Sequence, residues 1–142
     1  MKVKEIMTRT VIGVGQDETV EVAARTLQRY NIGALPVCAS NGKLCGMVTD
    51  RDLVIRCVAA GRDPGKTTVG QVMTGQVTSV EGDMDVSVAA HLMGRQQIRR
   101  LPVTEKGRLC GMVTLGDMAL RDDTAMDAAE ALGDIARNLS ER

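Results

Sequence analysis

Two identical hexapeptides, Leu-Cys-Gly-Met-Val-Thr, occur at residues 44–49 and 109–114. They belong to a longer internal repeat, because residues 3–56 recur at residues 69–121 in nearly constant register. A repeat of this length indicates two copies of one supersecondary unit. This feature constrains the fold more strongly than composition does, since any fold of this chain must contain the same unit twice.

Each copy has the same order of predicted elements. A short apolar strand is followed by an amphipathic helix, two further strands joined by a tight turn, and a second helix. In the first copy we expect strands at about residues 10–14, 34–39 and 43–49 and a closing helix at about residues 50–60. The order β-α-β-β-α predicts a parallel strand pair across the first helix and an antiparallel hairpin after it.

Pro36 and Pro102 lie at equivalent strand positions in the two copies. Because proline cannot donate to a strand ladder, we expect each on an edge strand or at a strand start, with an open sheet edge nearby.

The repeat also gives the expected domain organisation. We assign residues 1–60 to the first repeat, 61–68 to a Gly- and Pro-containing linker, 69–122 to the second repeat and 123–142 to a C-terminal amphipathic helix. A unit of about 55 residues buries too little surface to be stable alone, so we expect the two copies to pack together.

Composition excludes several classes of function. The chain has 18 basic and 18 acidic side chains and a single aromatic residue, Tyr30, so it lacks the basic surface and stacking rings typical of nucleic-acid binding. Its apolar runs are far shorter than the roughly 20 residues of a membrane helix, and we expect a cytoplasmic protein. The four cysteines, with one histidine and no C-x-x-C pair, indicate neither a zinc site nor a disulfide framework.

Two further patterns do not support catalysis or phosphate binding. Residues 61–67 resemble a phosphate-binding P-loop, but the glycine spacing is one residue short and a helix precedes the segment where a strand is needed. His91, the only histidine, lies on a predicted helix with no nucleophile beside it. We therefore expect no enzymatic activity.

The informative motif is Gly-x-Val-Thr-x-x-Asp, which ends the third strand of each copy at residues 46–52 and 111–117. The Thr is predicted to cap the following helix, with the Asp in its first turn. On one interpretation this arrangement only stabilises the helix start, by about 1 kcal/mol. On the other, its hydroxyl and carboxylate bind a vicinal diol such as a ribose, beside a helix N-terminus that favours phosphate.

The tandem β-α-β-β-α copies, the Leu-Pro-Val strands and the two Thr/Asp junctions together resemble the CBS domain family, as a CBS pair or Bateman module. The resemblance covers residues 3–121, and residues 31–38 and 49–53 are similar to small stand-alone bacterial members. It implies an α/β (α+β) fold in which two repeats pack about a pseudo-twofold axis, with the C-terminal helix added.

The resemblance also implies a regulatory, non-catalytic module that binds an adenosine-containing ligand in clefts between the repeats. AMP, ADP or ATP are expected ahead of S-adenosylmethionine or NADH, and neither a required cofactor nor a metal is expected. The ribose hydroxyls are assigned to Thr49 with Asp52 and to Thr114 with Asp117. The adenine contacts are expected along two sets of strand residues: Thr10, Val11, Ile12, Ala34, Leu35 and Pro36; and Gln76, Val77, Thr78, Arg100, Leu101 and Pro102.

The two sites are expected to be unequal. The second copy has Arg99-Arg100 where the first has Gly33-Ala34. The resemblance implies that Arg99 or Arg100 is the main phosphate ligand, either at the site of its own copy or, across the interface, at the site built around Asp52. An exposed, solvated arginine pair is the other interpretation.

The sequence constrains the binding partners of the chain less than it constrains the fold or the ligand site. The C-terminal helix has an apolar face that packs either on its own module or on a second chain, and a homodimer is expected, with an unidentified regulated protein as the output. The alternative function is a structural or protein-interaction module whose Thr and Asp residues merely cap helices. Binding of nucleic acid through the linker and the arginine pair is the weakest alternative.

Overall fold

A computed structural model describes residues 1–140 of the chain. It divides the chain into two compact units, which are interleaved along the sequence. Unit 1 comprises Met1–Val11, Thr78–Lys106 and Cys110–Arg142, and unit 2 comprises Ile12–Val77 and Gly107–Leu109.

Each unit receives the opening segment of the other repeat. In unit 1 the amide of Val3 donates to the carbonyl of Met84 at 2.9 Å. In unit 2 the equivalent amide, that of Val69, donates to the carbonyl of Glu18 at 2.8 Å. The compact units therefore differ in composition from the consecutive repeats expected at residues 1–60 and 69–122, because each opening segment bonds to the strand–helix loop of the other copy.

Unit 2 contains a three-stranded sheet in the order β1-β2-β3, with β1 parallel and β3 antiparallel to the central β2. Its α2 continues into a π-helical segment, Val54–Val58. The elements are β1 Val14–Gly15, α1 Val20–Tyr30, β2 Ala34–Cys38, β3 Leu44–Thr49, α2 Asp50–Leu53 and α3 Val69–Val72.

The crossover helix α1 follows directly from its sequence. The hydroxyl oxygen of Thr19 accepts a hydrogen bond from the amide of Val22 at 3.2 Å and so satisfies one of the free donors of the first turn. Val20, Ala23 and Leu27 recur at helical spacing and are buried against the sheet.

Unit 1 repeats this architecture with β4, β5 and β6, of which β4 is parallel to β5. It opens with a 3-10 turn at Val3–Glu5. The elements are β4 Val80–Glu81, α4 Val86–Gln96, β5 Arg100–Glu105, β6 Arg108–Thr114, α5 Leu115–Ala119 and α6 Ala125–Ser140. The predicted α/β (α+β) fold, with the same element order in both repeats and a C-terminal helix, is confirmed.

The expectation for the prolines was wrong in one respect. Pro36 lies on β2, the central strand of its sheet, and not on an edge strand. It is tolerated because β1 is only two residues long and pairs with Val37 and Cys38, so that the parallel ladder ends before the proline. Pro102 on β5 repeats this arrangement, since β4 pairs with Val103 and Thr104. The first strand, expected at about residues 10–14, is correspondingly limited to Val14–Gly15.

The C-terminal helix packs on its own unit. Ala128, Ala131 and Ile135 are buried in the same aliphatic core as Met93 of α4. At Gly94 the helices approach closely, because a Cβ there would lie 3.2 Å from the Cα of Ala131. No helix within residues 1–140 has the length and apolar character needed to cross a membrane.

Candidate functional site

The two Thr/Asp junctions have nearly identical geometry. At the β3–α2 junction the amide of Asp52 donates to Thr49 Oγ1 at 3.0 Å, and the amide of Thr49 donates to Asp52 Oδ2 at 3.0 Å. At the β6–α5 junction the corresponding distances between Thr114 and Asp117 are 3.0 and 3.1 Å. Each pair is thus a reciprocal capping box, which holds a hydroxyl and a carboxylate side by side at the start of a helix.

The two aspartates differ in what surrounds their second carboxylate oxygen. Asp52 Oδ1 lies 3.8 Å from Arg56 Nε, and Arg56 also donates through Nη1 to the carbonyl of Met73 at 3.2 Å. This arginine therefore connects the Asp52 carboxylate to the end of α3.

The equivalent arginine of the second repeat has a different partner. Arg121 Nε lies 3.5 Å from Asp123 Oδ1. Among residues 1–140, Asp117 Oδ1 forms no hydrogen bond or ion pair. The second junction therefore presents a half-buried carboxylate oxygen that is free to accept hydrogen bonds from a ligand.

A cavity of about 580 Å³ lies in unit 1 beside this second junction, within the usual range of small-molecule sites. Three residues predicted for the site, Arg99, Arg100 and Thr114, line it together, whereas Asp117 is not among its lining residues. The remaining lining residues are Leu115, Gly116, Ala119, Ala125, Ala128, Ala129 and Leu132.

The strand residues predicted to contact adenine have mixed environments. Leu35, Pro36, Leu101 and Pro102 are buried as whole residues, and Leu35 and Leu101 have no exposed surface. Ala34 is half-buried.

The loop residues predicted for adenine are split between the units. Thr10 and Val11 belong to unit 1, and Ile12 and Val77 belong to unit 2. Thr78, like Thr10, belongs to unit 1. The assignment of these residues to the ligand remains a prediction.

Two features of the site were missed by reasoning from sequence. The lining contributed by α6 was not predicted, although the amphipathic pattern of residues 125–139 is visible, because periodicity does not show what a helix face packs against. The contact of Arg56 with Asp52 was also missed. Its spacing of four residues on a helix was an available signal.

The cysteines form ordinary buried or half-buried contacts. Cys45 Sγ donates to the carbonyl of Val37 at 3.3 Å, and Cys110 Sγ donates to the carbonyl of Val103 at 3.4 Å, as the repeat requires. Burial raises the pKa of both thiols above its ordinary value. Within residues 1–140 no group of three or more His, Cys, Asp or Glu side chains could hold a metal ion.

Comparison with known proteins gives the family. The family model of the CBS domain matches residues 3–58 and, a second time, residues 69–121. The CBS domain-containing protein YhcV of Bacillus subtilis is 40% identical over 134 residues, 94% of each chain. Hypoxic response protein 1 of Mycobacterium tuberculosis is 39% identical over 116 residues, which are 82% of this chain and 81% of that protein.

Solved structures agree. That of Hypoxic Response Protein I with two coordinated zinc ions has a TM-score of 0.78 at 37% identity and covers 85% of this chain and 98% of that one. The CBS domain pair of protein MJ0100, solved in complex with 5'-methylthioadenosine and S-adenosyl-L-methionine, has a TM-score of 0.72 at 29% identity and covers 84% of this chain and 94% of that one. The tandem repeats, their Thr/Asp junctions and these similarities show that the chain belongs to the CBS domain family, as a pair of CBS domains.

Proposed function

We propose that this CBS domain pair is a non-catalytic sensor that binds an adenosine-containing ligand, with AMP, ADP or ATP as the leading candidates. The observation that carries the proposal is the β6–α5 junction, where Thr114 and a carboxylate oxygen of Asp117 stand next to a cavity lined by Arg99 and Arg100. A ribose diol needs acceptors such as this carboxylate, and a phosphate needs cations such as these arginines. The adenosyl ligands in the MJ0100 structure support the same ligand class.

The arginines favour a nucleotide over an uncharged nucleoside. Neither Arg99 nor Arg100 forms an ion pair within residues 1–140, and no acidic residue lines the cavity beside them. Two unneutralised guanidinium groups at one opening attract an anionic group and bind phosphate oxygens in a bidentate manner. S-adenosylmethionine, which has no phosphate and carries a sulfonium cation, is the less favoured ligand on this argument.

Calorimetric titration with AMP, ADP, ATP, S-adenosylmethionine and NADH tests the proposal. We expect at least one adenine nucleotide to bind, and Asp117→Ala to abolish its binding in the second copy. Thr19→Ala is the matched control, because it removes a similar cap hydrogen bond from α1, outside the proposed site. Arg100→Ala should weaken the binding of AMP more than that of 5'-methylthioadenosine. Arg95 is an exposed arginine on α4 outside the cavity, so Arg95→Ala should change the binding of neither ligand.

Sensing further requires that the ligand bind two arrangements of the protein with different affinity. We propose that the output passes to a partner protein and that the chain acts as a homodimer. Light scattering with and without the bound nucleotide tests the dimer. A monomer under both conditions would refute that part.

A second candidate is a protein-interaction module with unoccupied nucleotide sites. It is favoured by an apolar patch after α2, where Val54, Ile55 and Val58 are 54%, 50% and 65% exposed. If no ligand gives heat with the folded protein, this candidate replaces the first. Asp52→Ala and Asp117→Ala should then cost only about 1 kcal/mol of stability each.

A further inference from the structure

The cavity in unit 1 has walls from two different parts of the chain. Arg99, Arg100 and Thr114 belong to the second CBS repeat, whereas Ala125, Ala129 and Leu132 belong to α6. The family model of the CBS domain ends at residue 121, so this part of the cavity wall lies outside the residues that the model matches.

Helix α6 contributes to both the core and the cavity, and Ala128 takes part in both. Ala128, Ala131 and Ile135 fix it against the core of unit 1, and the hydroxyl of Thr124 donates to the carbonyl of Met118 at 2.6 Å at its start. Ala129 and Leu132, one turn apart, remain exposed and line the cavity. The helix is therefore anchored independently of any ligand and presents a second, uncovered apolar strip.

The chemistry of the cavity is divided in the same way. Among the residues that the structure describes, Arg99 and Arg100 are the only charged ones that line it, and the surface that α6 contributes is wholly aliphatic. A charged group placed against alanine and leucine would lose its hydration without compensation, whereas an uncharged ring would bury apolar area. The cavity thus suits a ligand with an anionic group at one end and a flat, uncharged group at the other.

We propose that α6 is a wall of the second ligand site, which binds a nucleotide with its phosphate on Arg99 and Arg100 and an uncharged part of the molecule on Ala129 and Leu132. This inference rests on the proposed function and extends it, because occupancy of the site then holds α6 on its unit. The first repeat has Gly33 and Ala34 in place of the arginines, so the same ligand is bound less tightly there.

Ala129→Trp tests the wall directly. The residue is exposed, so an indole there is accommodated without disturbing the core and occupies space in the cavity. The matched control is Ala136→Trp, which places the same side chain two turns further along the same helix, outside the cavity. Circular dichroism and urea unfolding establish that both variants are folded before titration with AMP and ATP.

We expect Ala129→Trp to weaken nucleotide binding at the Arg100-dependent site by at least about tenfold, which corresponds to about 1.4 kcal/mol. Ala136→Trp should bind as the unmodified protein does. Nucleotide binding that Arg100→Ala weakens and Ala129→Trp leaves unchanged would overturn the inference while the proposed function stands. Absence of binding by the unmodified, folded protein would overturn both.

Hydrogen exchange of the α6 amides tests contact between ligand and helix in the unmodified protein, where no tryptophan has been introduced to block the cavity. If the ligand contacts α6, opening of the helix requires loss of the ligand, so saturation at about 100 times Kd should slow exchange of the α6 amides by up to about 100-fold. Unchanged exchange in α6, with protection confined to residues of the second repeat, would overturn the inference.

Discussion

The glycine of the repeated hexapeptide gives the sharpest structural prediction. A Cβ on Gly46 would lie 2.6 Å from Met73 Sδ and 2.8 Å from the carbonyl oxygen of Thr74. That carbonyl cannot retreat easily, because Met47 and Thr74 exchange two backbone hydrogen bonds of 3.0 and 2.8 Å. We expect Gly46→Ala to lower the free energy of unfolding by about 2–3 kcal/mol, in the upper part of the usual range for overpacking.

The equivalent glycine of the second repeat meets a softer obstacle. A Cβ on Gly111 would lie 2.5 Å from Met7 Sδ but 3.1 Å from the carbonyl oxygen of Thr8. Since the end of a methionine side chain can move at little cost, Gly111→Ala should cost only about 1–2 kcal/mol. Adding Met7→Ala should recover part of the Gly111→Ala loss, whereas Met73→Ala should recover little of the Gly46→Ala loss.

Urea unfolding measures these differences in the free energy of unfolding, provided that the variants have the same m-value. Gly75→Ala is the control, because no atom lies within 4 Å of its Cβ position and its φ angle is not in the left-handed region. It should leave stability within about 0.5 kcal/mol of the original. If Gly46→Ala proves as stable as Gly75→Ala, the argument from close approach of the two segments is refuted.

Three further predictions concern single side chains. Thr114→Ala should lower the free energy of unfolding by about 1 kcal/mol through loss of the cap on α5, as measured by urea unfolding. Burial raises the pKa of the Cys45 thiol, so its alkylation by iodoacetamide should be slow at pH 7 and accelerate above pH 9, and an alkylation rate of Cys45 at pH 7 equal to its rate above pH 9 would contradict this. The buried Cys57 should react only on unfolding. Hydrogen bonds from the Ser87 amide and hydroxyl lower the pKa of Asp85, so its carboxylate stabilises the fold above about pH 4, and this contribution is lost as the pH falls. Asp85→Asn keeps a cap but cannot titrate, so the free energy of unfolding of this variant should depend less on pH between pH 5 and 3.

The sequence allowed the repeated β-α-β-β-α order to be predicted because its signals are local. Apolar spacing placed α1 and α4, and the Thr/Asp pattern placed the capping boxes at Thr49 and Thr114. These features depend only on residues within a few positions of each other.

The remaining features depend on residues distant in sequence. That Val3 bonds to Met84 and Val69 to Glu18 follows from the arrangement of the whole chain, and no local pattern encodes which copy an opening segment joins. The central position of the Pro36 strand was missed for a related reason. A proline excludes a ladder bond at its own residue but does not exclude a short parallel partner one residue further on.

The differences between the copies carry the functional argument further than their similarity does. A repeat duplicated for stability alone needs only the capping boxes, which are equally good at both junctions. In the first copy Arg56 lies beside the second carboxylate oxygen of Asp52, whereas the equivalent oxygen of Asp117 has no partner among residues 1–140. A ligand at Asp52 must therefore compete with an existing cation contact, and one at Asp117 need not. Arg99 and Arg100 form no ion pair with any residue that the structure describes. Together these differences predict that one nucleotide per chain binds at low concentration, and that it binds at the second copy.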